Sequence, residues 1–299
     1  MVQAFGDDHT RRKLEIVQNY LGAYTTALKR KNFELLYVDA CAGSGFSIPK
    51  AALANLQGDV RKSGLLVPAE PVADTEQLIM GSALRAMGVR PPFDRYLFND
   101  LKRSNVRALQ NEVDANFAHL ADRVTITQAD ANEMLLEICR RTNWRSSRAV
   151  VFIDPFRLQI KYETLEQLGR TRAVDLWYLV PVFAMYRQVR GDGEVLEDGG
   201  RSVDEALGTS EWRHVVAVEE KKQADLFGGS ETVSKRGVDI AWFEKVAMDR
   251  LKLAFGDRVV EQTLPLGRNG LHEFSLMFAW ANPSEPARLA AKLAAAVLK

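Results

Sequence analysis

One short segment places an acidic residue and two glycines directly after an apolar run. The run covers residues 33–38, Asp39 follows it, and Gly43 and Gly45 come next. Because glycine has no Cβ, its backbone can turn sharply and approach a bound molecule closely. The segment therefore predicts a strand that enters a ligand-binding turn, with a carboxylate at the strand end. The alternative interpretation is a tight turn with a purely structural role.

Two further strand ends carry polar groups. Asn99 and Asp100 close the candidate strand 95–98, and Asp130 and Ala131 follow the candidate strand 124–128. Ligands of open α/β sheets bind at the carboxyl ends of the strands, so we expect these residues to gather near the glycine turn. Each acid taken alone also fits a helix cap or a turn.

A fourth acid follows the apolar run 149–153, in the sequence Asp154-Pro155-Phe156. An exocyclic amine conjugated to a ring is a poor nucleophile, and two acceptors on its hydrogens direct its lone pair toward an electrophile. The Asp154 carboxylate and the Pro155 carbonyl are candidates for those acceptors. Phe156 is a candidate for stacking on the ring, an interaction of about 1–3 kcal/mol per base in nucleic-acid sites.

The glycine segment resembles motif I of class I S-adenosylmethionine (SAM)-dependent methyltransferases, in the order acid-x-x-x-Gly-x-Gly. The resemblance implies SAM as the cofactor, with its methionine part in the turn and its ammonium at the acid. It also implies contacts of the later strand ends with the ribose hydroxyls and the adenine. The residues implied to bind the cofactor are Asp39, Ala40, Gly43, Gly45, Asn99, Asp100, Asp130 and Ala131.

The Asp154 segment resembles motif IV of amino-group methyltransferases, whose usual form is Asp/Asn-Pro-Pro-aromatic. Here the second proline is absent and Arg157 follows the aromatic residue. The shorter form is similar to that of tRNA guanine-N2 dimethyltransferases, which usually continue with glycine, so the target atom stays open. Methyl transfer is an in-line displacement that depends on positioning and electrostatics. We therefore expect no metal site and no covalent nucleophile, and Asp154, Pro155 and Phe156 are the candidate catalytic residues.

The elements that must position these residues alternate between helix and strand. Apolar residues at helical spacing predict an amphipathic helix over 9–31, and further strands are expected at 176–180 and 274–280. A loop is expected over 47–73 and a crossover helix over 75–87. The alternation favours a mainly parallel sheet. We therefore expect an α/β fold with a Rossmann-like class I methyltransferase sheet flanked by helices.

One region departs from this pattern. Residues 186–237 are charged and rich in glycine, with short helical stretches at 203–207 and 211–215. We interpret them as an insertion for substrate recognition within a single methyltransferase-like domain, 1–299.

Composition limits the partners. The 299 residues include 40 basic and 39 acidic side chains, so nucleic acid would have to meet a local basic patch. Candidate patches, each of which also fits solvated surface, are Arg11-Arg12-Lys13, Arg140 with Arg141, Arg145 and Arg148, and Lys221-Lys222.

Cys41 and Cys139 lack the spacing of a disulfide scaffold or zinc site, which favours a reducing cytoplasm. No apolar run approaches the roughly 18 residues of a membrane span, so no membrane contact is expected.

Over most of its length the chain is similar to the three-Cys-motif partner proteins. The similarity rests on residues 9–16 with Tyr20-Leu21, residues 39–45, residues 81–84, residues 152–156 and residues 175–181. It implies a methyltransferase-like fold and a partner protein with a three-cysteine motif. In the last segment, Trp177 and Tyr178 are expected in the core.

Three hypotheses follow. The first is a SAM-dependent methyltransferase acting on an exocyclic amino group of a nucleobase in RNA or DNA, with the base flipped out if the substrate is a duplex. The second is a non-catalytic SAM-binding scaffold for the three-cysteine-motif protein. The third, a nicotinamide oxidoreductase, is disfavoured because the third glycine of G-x-G-x-x-G is missing.

Overall fold

The computed structural model describes residues 8–47, 79–221, 232–268, 270–283, 291–292, 294–296 and 298. Their main element is a seven-stranded sheet with the strand order β10-β11-β7-β6-β1-β4-β5. Numbered along the chain, the strands are β1 (Glu34–Asp39), β2 (Phe46–Ser47), β3 (Ile79–Met80), β4 (Arg95–Asn99), β5 (Val124–Thr127), β6 (Ser147–Ile153), β7 (Val174–Val180), β8 (Ala217–Lys221), β9 (Thr232–Arg236), β10 (Leu264–Leu266) and β11 (Phe274–Trp280).

Helices cover both faces of the sheet. They are α1 (Asp8–Leu28), α2 (Ser82–Met87), α3 (Arg103–Asn116), α4 (Ala131–Arg141), α5 (Tyr162–Arg170), α6 (Val182–Tyr186), α7 (Glu197–Leu207) and α8 (Ile240–Phe255), with 3-10 turns at Ala118–Arg123 and Glu211–His214. None of the helices in the described ranges is long and apolar enough to cross a membrane.

Five strands run parallel, from β5 through β4, β1 and β6 to β7, whereas β11 is antiparallel to β7 and β10 is antiparallel to β11. The α/β class and the Rossmann-like sheet are thus confirmed. The predicted strands are present, and the strand at 274–280 has the expected bounds.

Strand residues alternate between two apolar cores because successive side chains point to opposite faces. On β7, Leu176 and Tyr178 enter the core that contains residues of α4, α5, α7 and α8, while Trp177 and Leu179 enter the core that contains residues of α1, α2 and α3. Burial on both faces explains why the parallel strands are continuous apolar runs. The expectation that Trp177 and Tyr178 lie in the core is confirmed, at 0% and 4% exposure.

Helix α1 packs along one face through the predicted apolar stripe. Tyr20 is central to this contact, with its ring 5.4 Å from that of Trp177 and 5.0 Å from that of Phe278. Its hydroxyl donates to Asp175 Oδ2 at 2.6 Å. Because α1 is held in this way, its first turns lie at the carboxyl edge of the sheet, beside the end of β6.

The crossover helix predicted over 75–87 is wrong in its first half, as far as the structure describes it. Residues 75–78 lie outside the described ranges, residues 79–80 form β3 against β2, and a helix begins only at Ser82. Gly81 precedes the helix and its N–H donates to Gly45 O at 2.7 Å. Strand β3 therefore occupies residues 79–80, which were predicted to be helical. Residues 48–73 of the predicted loop also lie outside the described ranges, and Ser47 belongs to β2.

The region 186–237 contains more structure than the sequence predicted. Helix α7 begins at Glu197, six residues before the expected start, and β8 pairs with β9 in an antiparallel hairpin that was not predicted. Asp204 of α7 accepts from Trp212 Nε1 at 2.8 Å and from Arg213 Nη2 at 2.7 Å, which ties the helix to the following turn. Of the Lys221-Lys222 patch, Lys222 lies outside the described residues.

Candidate active site

The order of the strands places a topological switch point at the carboxyl edge of the sheet. Strand β1 lies between β4 and β6, because the chain adds β4 and β5 on one side of β1 and then β6 and β7 on the other. Ligands of open α/β sheets bind at such a switch point. Asp39 ends β1 in register with Phe98 and Phe152, and Asp154 follows the end of β6. The strands therefore bring these two predicted acids to the same edge.

The turn after β1 has the backbone that its glycines favour. Gly43 and Gly45 have φ angles of 66° and 89°, a region that side chains with a Cβ rarely adopt. A Cβ on Gly45 would lie 3.2 Å from Leu84 Cδ1, and one on Gly81 would lie 2.9 Å from Gly45 O. The turn is thus closely packed on the start of α2. Ala40 N and Ala42 N donate to Phe152 O and Asn99 O, at 3.1 and 2.8 Å, which anchors the turn to both neighbouring strands.

Asp39 is a fully buried carboxyl group at the floor of this turn. Burial raises its pKa to about 7, although hydrogen bonds from the Ser82 side chain and from Cys41 N oppose the rise. The nearby Asp154 carboxylate raises the pKa further. A positive group brought to Asp39 would lower its pKa, since it would favour the charged form.

Asp100 braces the turn from the side of β4. Its Oδ2 accepts from Gly43 N at 3.1 Å, and its Oδ1 accepts from Lys102 N at 2.8 Å and Asn105 Nδ2 at 3.0 Å. A carboxylate has about four acceptor positions, so roughly one is left for a ligand hydroxyl. The structure therefore gives Asp100 a role in shaping the glycine turn that the sequence did not reveal.

Asn99 lies beneath this edge, at 1% exposure. Its amide nitrogen donates to Ala40 O at 3.1 Å and Ala129 O at 3.0 Å, and its Oδ1 accepts from Ala129 N at 3.0 Å and Thr127 Oγ1 at 2.9 Å. These four bonds link β1, β4 and the end of β5, so the side chain positions the edge.

Asp130 is the N-cap of α4. Its Oδ1 accepts from the backbone N–H groups of Asn132 and Glu133, at 2.8 and 3.3 Å. Asp130 therefore caps a helix, which is the alternative that the sequence left open, and its side chain is also exposed at the carboxyl edge. Ala131, the first residue of the helix, is buried at 5% exposure.

Asp154 forms an ion pair that the sequence did not predict. Its Oδ2 accepts from the ammonium of Lys13 on α1, and the two side chains are 30% and 11% exposed. No hydrogen bond from the described residues reaches Asp154 Oδ1 or the Pro155 carbonyl. Both acceptors proposed for an amino group therefore remain available, and Lys13 holds the carboxylate in place by its other oxygen.

Phe156 projects from the same loop at 66% exposure, whereas Pro155 is buried. Lys102 Nζ and Arg157 Cζ lie 6.0 and 5.5 Å from the centre of the Phe156 ring. The third candidate residue is thus an accessible aromatic surface flanked by two cations.

The loop after β6 is fastened to its neighbours by Asn132 and Gln159. Asn132 donates to Gln159 O at 2.8 Å and accepts from Lys161 N at 2.9 Å, while Gln159 Nε2 donates to Cys41 Sγ at 3.2 Å. Burial raises the pKa of the Cys41 thiol, and the carboxylates Asp39, Asp154 and Asp100 raise it further. All three acids therefore lie within electrostatic reach of one atom.

Sequence reasoning missed Lys13, Ser82 and Asn132 as parts of this site. A signal existed for Lys13, which precedes Val17 and Tyr20 by four and seven residues and so lies on the buried face of α1. The sequence contains no comparable signal for Ser82 and Asn132. Of the candidate basic patch Arg11-Arg12-Lys13, Arg11 and Arg12 are exposed, whereas Lys13 is buried in the ion pair with Asp154.

The described residues contain no group of three or more His, Cys, Asp or Glu side chains arranged to hold a metal ion. An open groove of about 620 Å³ lies elsewhere, between residues 18–27 of α1 and residues 88–90. None of the candidate site residues lines that groove.

Neither the protein-family models nor the curated proteins contain a match to this chain. Three similar solved structures can be described. The protein LPL1258 from Legionella pneumophila is 14% identical, with 84% of this chain and 94% of the other covered and a TM-score of 0.39. An S-adenosylmethionine-dependent methyltransferase from Clostridium acetobutylicum is 9% identical. The alignment covers 90% of this chain and 92% of the other, with a TM-score of 0.36.

The third is the glycopeptide N-methyltransferase MtfA in complex with sinefungin, which is 10% identical. The alignment covers 89% of this chain and 87% of the other, with a TM-score of 0.35. At such identities, and at TM-scores below 0.5, these likenesses establish neither a substrate nor an activity for the chain.

Proposed function

We propose that the chain is a SAM-dependent methyltransferase that acts on an exocyclic amino group of a nucleobase in RNA or DNA. The observation that carries the proposal is the meeting of Asp154 with the Gly43–Gly45 turn at the switch point of the sheet. A turn suited to a closely held cofactor and a carboxylate suited to an amine thus lie at the same edge of the sheet.

The residues at the turn fit SAM in their chemistry. Asp39 supplies a carboxyl group for the SAM ammonium, and Asp100 has about one acceptor position left for a ribose hydroxyl. Gly43 and Gly45 let the backbone lie against the methionine part. Asp130 and the backbone of Ala131 are proposed to meet the adenine. When bound, SAM would supply a methyl group on a positively charged sulfur.

The chain's own residues would orient the amine. Asp154 Oδ1 and the Pro155 carbonyl are proposed to accept its two hydrogens, which directs the nitrogen lone pair toward the methyl carbon. Asp154 already accepts a hydrogen bond from a primary amine, that of Lys13, through Oδ2. Lys13 would keep the carboxylate from rotating, and Phe156 would hold the ring of the base. Positioning of this kind is a large part of what methyl transfer requires.

Transfer of tritiated methyl groups from SAM to pools of tRNA, rRNA and DNA tests the activity. We expect label in one of the pools with the wild-type protein and its loss with Asp154→Ala, which removes the acceptor oxygens. Glu133→Ala is the matched control, because Glu133 is an exposed acid at the same edge. Full transfer by Asp154→Ala would refute the assignment of the amine site.

The Lys13–Asp154 ion pair also favours a second candidate function, a non-catalytic SAM-binding scaffold for a protein with a three-cysteine motif. In that function the ion pair with the Lys13 ammonium would be the role of the Asp154 carboxylate, and no substrate amine would bind there. Co-purification of a stable complex with such a protein, without transfer to any nucleic acid when SAM is bound, would support the scaffold over the enzyme.

The remaining features of the proposal concern organisation. We propose a single methyltransferase-like domain over residues 1–299, with residues 186–237 inserted for substrate recognition, and action in the cytoplasm. The free thiols of Cys41 and Cys139 are consistent with that compartment. Exchange of residues 217–236, which include the largely exposed β8–β9 strand pair, for a short linker would change substrate choice but not SAM binding if the insertion has this role.

A further inference from the structure

We propose that the surface formed by Leu101, Lys102, Arg103, Phe156 and Arg157, here called the edge platform, binds single-stranded nucleic acid. An unpaired base would lie against Phe156, and the neighbouring phosphates would contact the cations. This inference deepens the proposed function and rests on it only for the claim that the bound strand is the methyl acceptor.

The apolar part of the edge platform is unusually accessible. Phe156 is 66% exposed and Leu101 is 68% exposed. Within the described ranges Phe156 is the only exposed phenylalanine, tyrosine or tryptophan. An exposed aromatic ring at a candidate active site is a stacking surface, because every nucleobase has a face that can pack on it.

Cations surround this ring. Lys102 Nζ and Arg157 Cζ lie within 6.0 Å of its centre, and Arg103 follows Lys102 at the start of α3. None of the three forms a salt bridge with an acid in the described part of the chain. Lys29, in contrast, is paired with Asp94. Cations without an acidic partner are the ones available to phosphates.

The basic surface extends along the edge toward α1. Arg11 and Arg12 are exposed, have no acidic partner among the described residues, and immediately precede Lys13, whose ammonium contacts Asp154. Exposed cations are therefore present both on α1, next to Lys13, and on the edge platform, next to Asp154. A polyanionic strand complements this local charge although the whole chain carries a net charge of only +1.

The geometry favours a single strand over a duplex. A ring that projects from a loop can stack only on a base that is not already stacked in a helix. Arg157 adds a planar guanidinium beside the ring, and such planes also stack on unpaired bases.

Fluorescence anisotropy tests the proposal with labelled 15-nucleotide single-stranded RNA and DNA of mixed sequence, and with the corresponding duplex, in the presence of S-adenosylhomocysteine. We expect saturable binding of a single strand, weakened about 5- to 160-fold by Phe156→Ala, as a loss of roughly 1–3 kcal/mol of stacking implies. The double variant Lys102→Gln/Arg157→Gln should make the slope of log binding constant against log salt concentration less steep by about 1.4. Each contact between a cation and a phosphate of a single strand contributes about 0.7 to that slope.

Matched controls are Leu253→Ala, which removes an apolar side chain of 67% exposure, and Arg145→Gln, which removes an exposed cation before β6, at the opposite edge of the sheet. Both should bind the strands as the wild type does. Equal binding by Phe156→Ala and wild type, tighter binding of the duplex, or no saturable binding would overturn the edge platform. SAM binding, measured separately, would then show whether the proposed function fails as well.

Discussion

The ammonium of Lys13 and the carboxylate of Asp154 form an ion pair across 141 residues of chain. This contact ties the first turns of α1 to the loop that follows β6, at the point where an amine substrate is proposed to bind. Lys13 contacts Oδ2 and leaves Oδ1 available. The pair therefore orients the carboxylate without consuming all of its acceptor capacity.

Replacing Lys13 should impair methyl transfer more than SAM binding. With Lys13→Met the carboxylate loses the group that fixes its orientation, and we expect transfer to fall about 10- to 100-fold, because small misplacements of reacting groups are costly. Lys13→Arg keeps the charge and should retain more activity. Rate constants and SAM dissociation constants of both variants check this prediction. A loss of SAM affinity equal to the loss of rate would contradict it and indicate a general structural effect.

Binding of SAM should depend on pH through Asp39. Burial raises the pKa of this carboxyl group to about 7, so it is mainly protonated below that pH and charged above it. A bound ammonium favours the charged form. We therefore expect SAM affinity to increase as the pH rises from 5 to 7 and to level off above 7. Titration at several pH values checks this, and Asp39→Asn should bind more weakly with little pH dependence. A wild-type affinity that does not change with pH would argue against direct contact between Asp39 and the ammonium.

A second buried acid should affect stability instead of binding. Burial raises the pKa of Asp175 to about 7, so the folded state holds a proton that the unfolded state releases near pH 4. The stability this provides is present at low pH and is lost as the pH rises through 7. Relative to Asp175→Asn, which keeps an acceptor for the Tyr20 hydroxyl, the wild type should lose at most roughly 4 kcal/mol of unfolding free energy between pH 4 and pH 8. Urea unfolding measures the difference, and a constant difference would show that Asp175 does not titrate in this range.

The glycine turn should tolerate no side chain at position 45. Gly45→Ala adds a Cβ at a φ of 89° and within 3.2 Å of Leu84, so we expect lower stability, by about 1–2 kcal/mol, and loss of SAM binding. Gly22→Ala is the control, because Gly22 lies within α1 and a Cβ there meets nothing within 4 Å. That control should be stabilised by up to about 1 kcal/mol. Normal SAM binding by Gly45→Ala would remove the turn from the cofactor site.

The central sheet could be predicted from sequence because its strands are buried on both faces and stand out as apolar runs. The β8–β9 hairpin could not, since charged and polar residues occupy most of its positions and only Val218 and Val233 alternate with them. The β2–β3 pair was missed because two-residue strands give no periodic signal.

The candidate site was predicted in part. Strand-end acids are visible in sequence because the carboxyl edge follows from the order of strands. The bonds of Asn99 and Asp100 depend on contacts across neighbouring strands and loops, and no local pattern encodes them. The Lys13–Asp154 pair depends on how α1 docks, which follows from packing of the whole helix face.

Calorimetric titration of the purified protein with SAM and S-adenosylhomocysteine tests the central claim most directly, when it is repeated on Asp39→Ala and Asp100→Ala. The proposed site predicts saturable binding near one molecule per chain, weakened by both substitutions, because one removes the carboxyl group at the ammonium and the other removes the brace of the glycine turn. Absence of binding to the wild type, or equal binding by all three proteins, would contradict it.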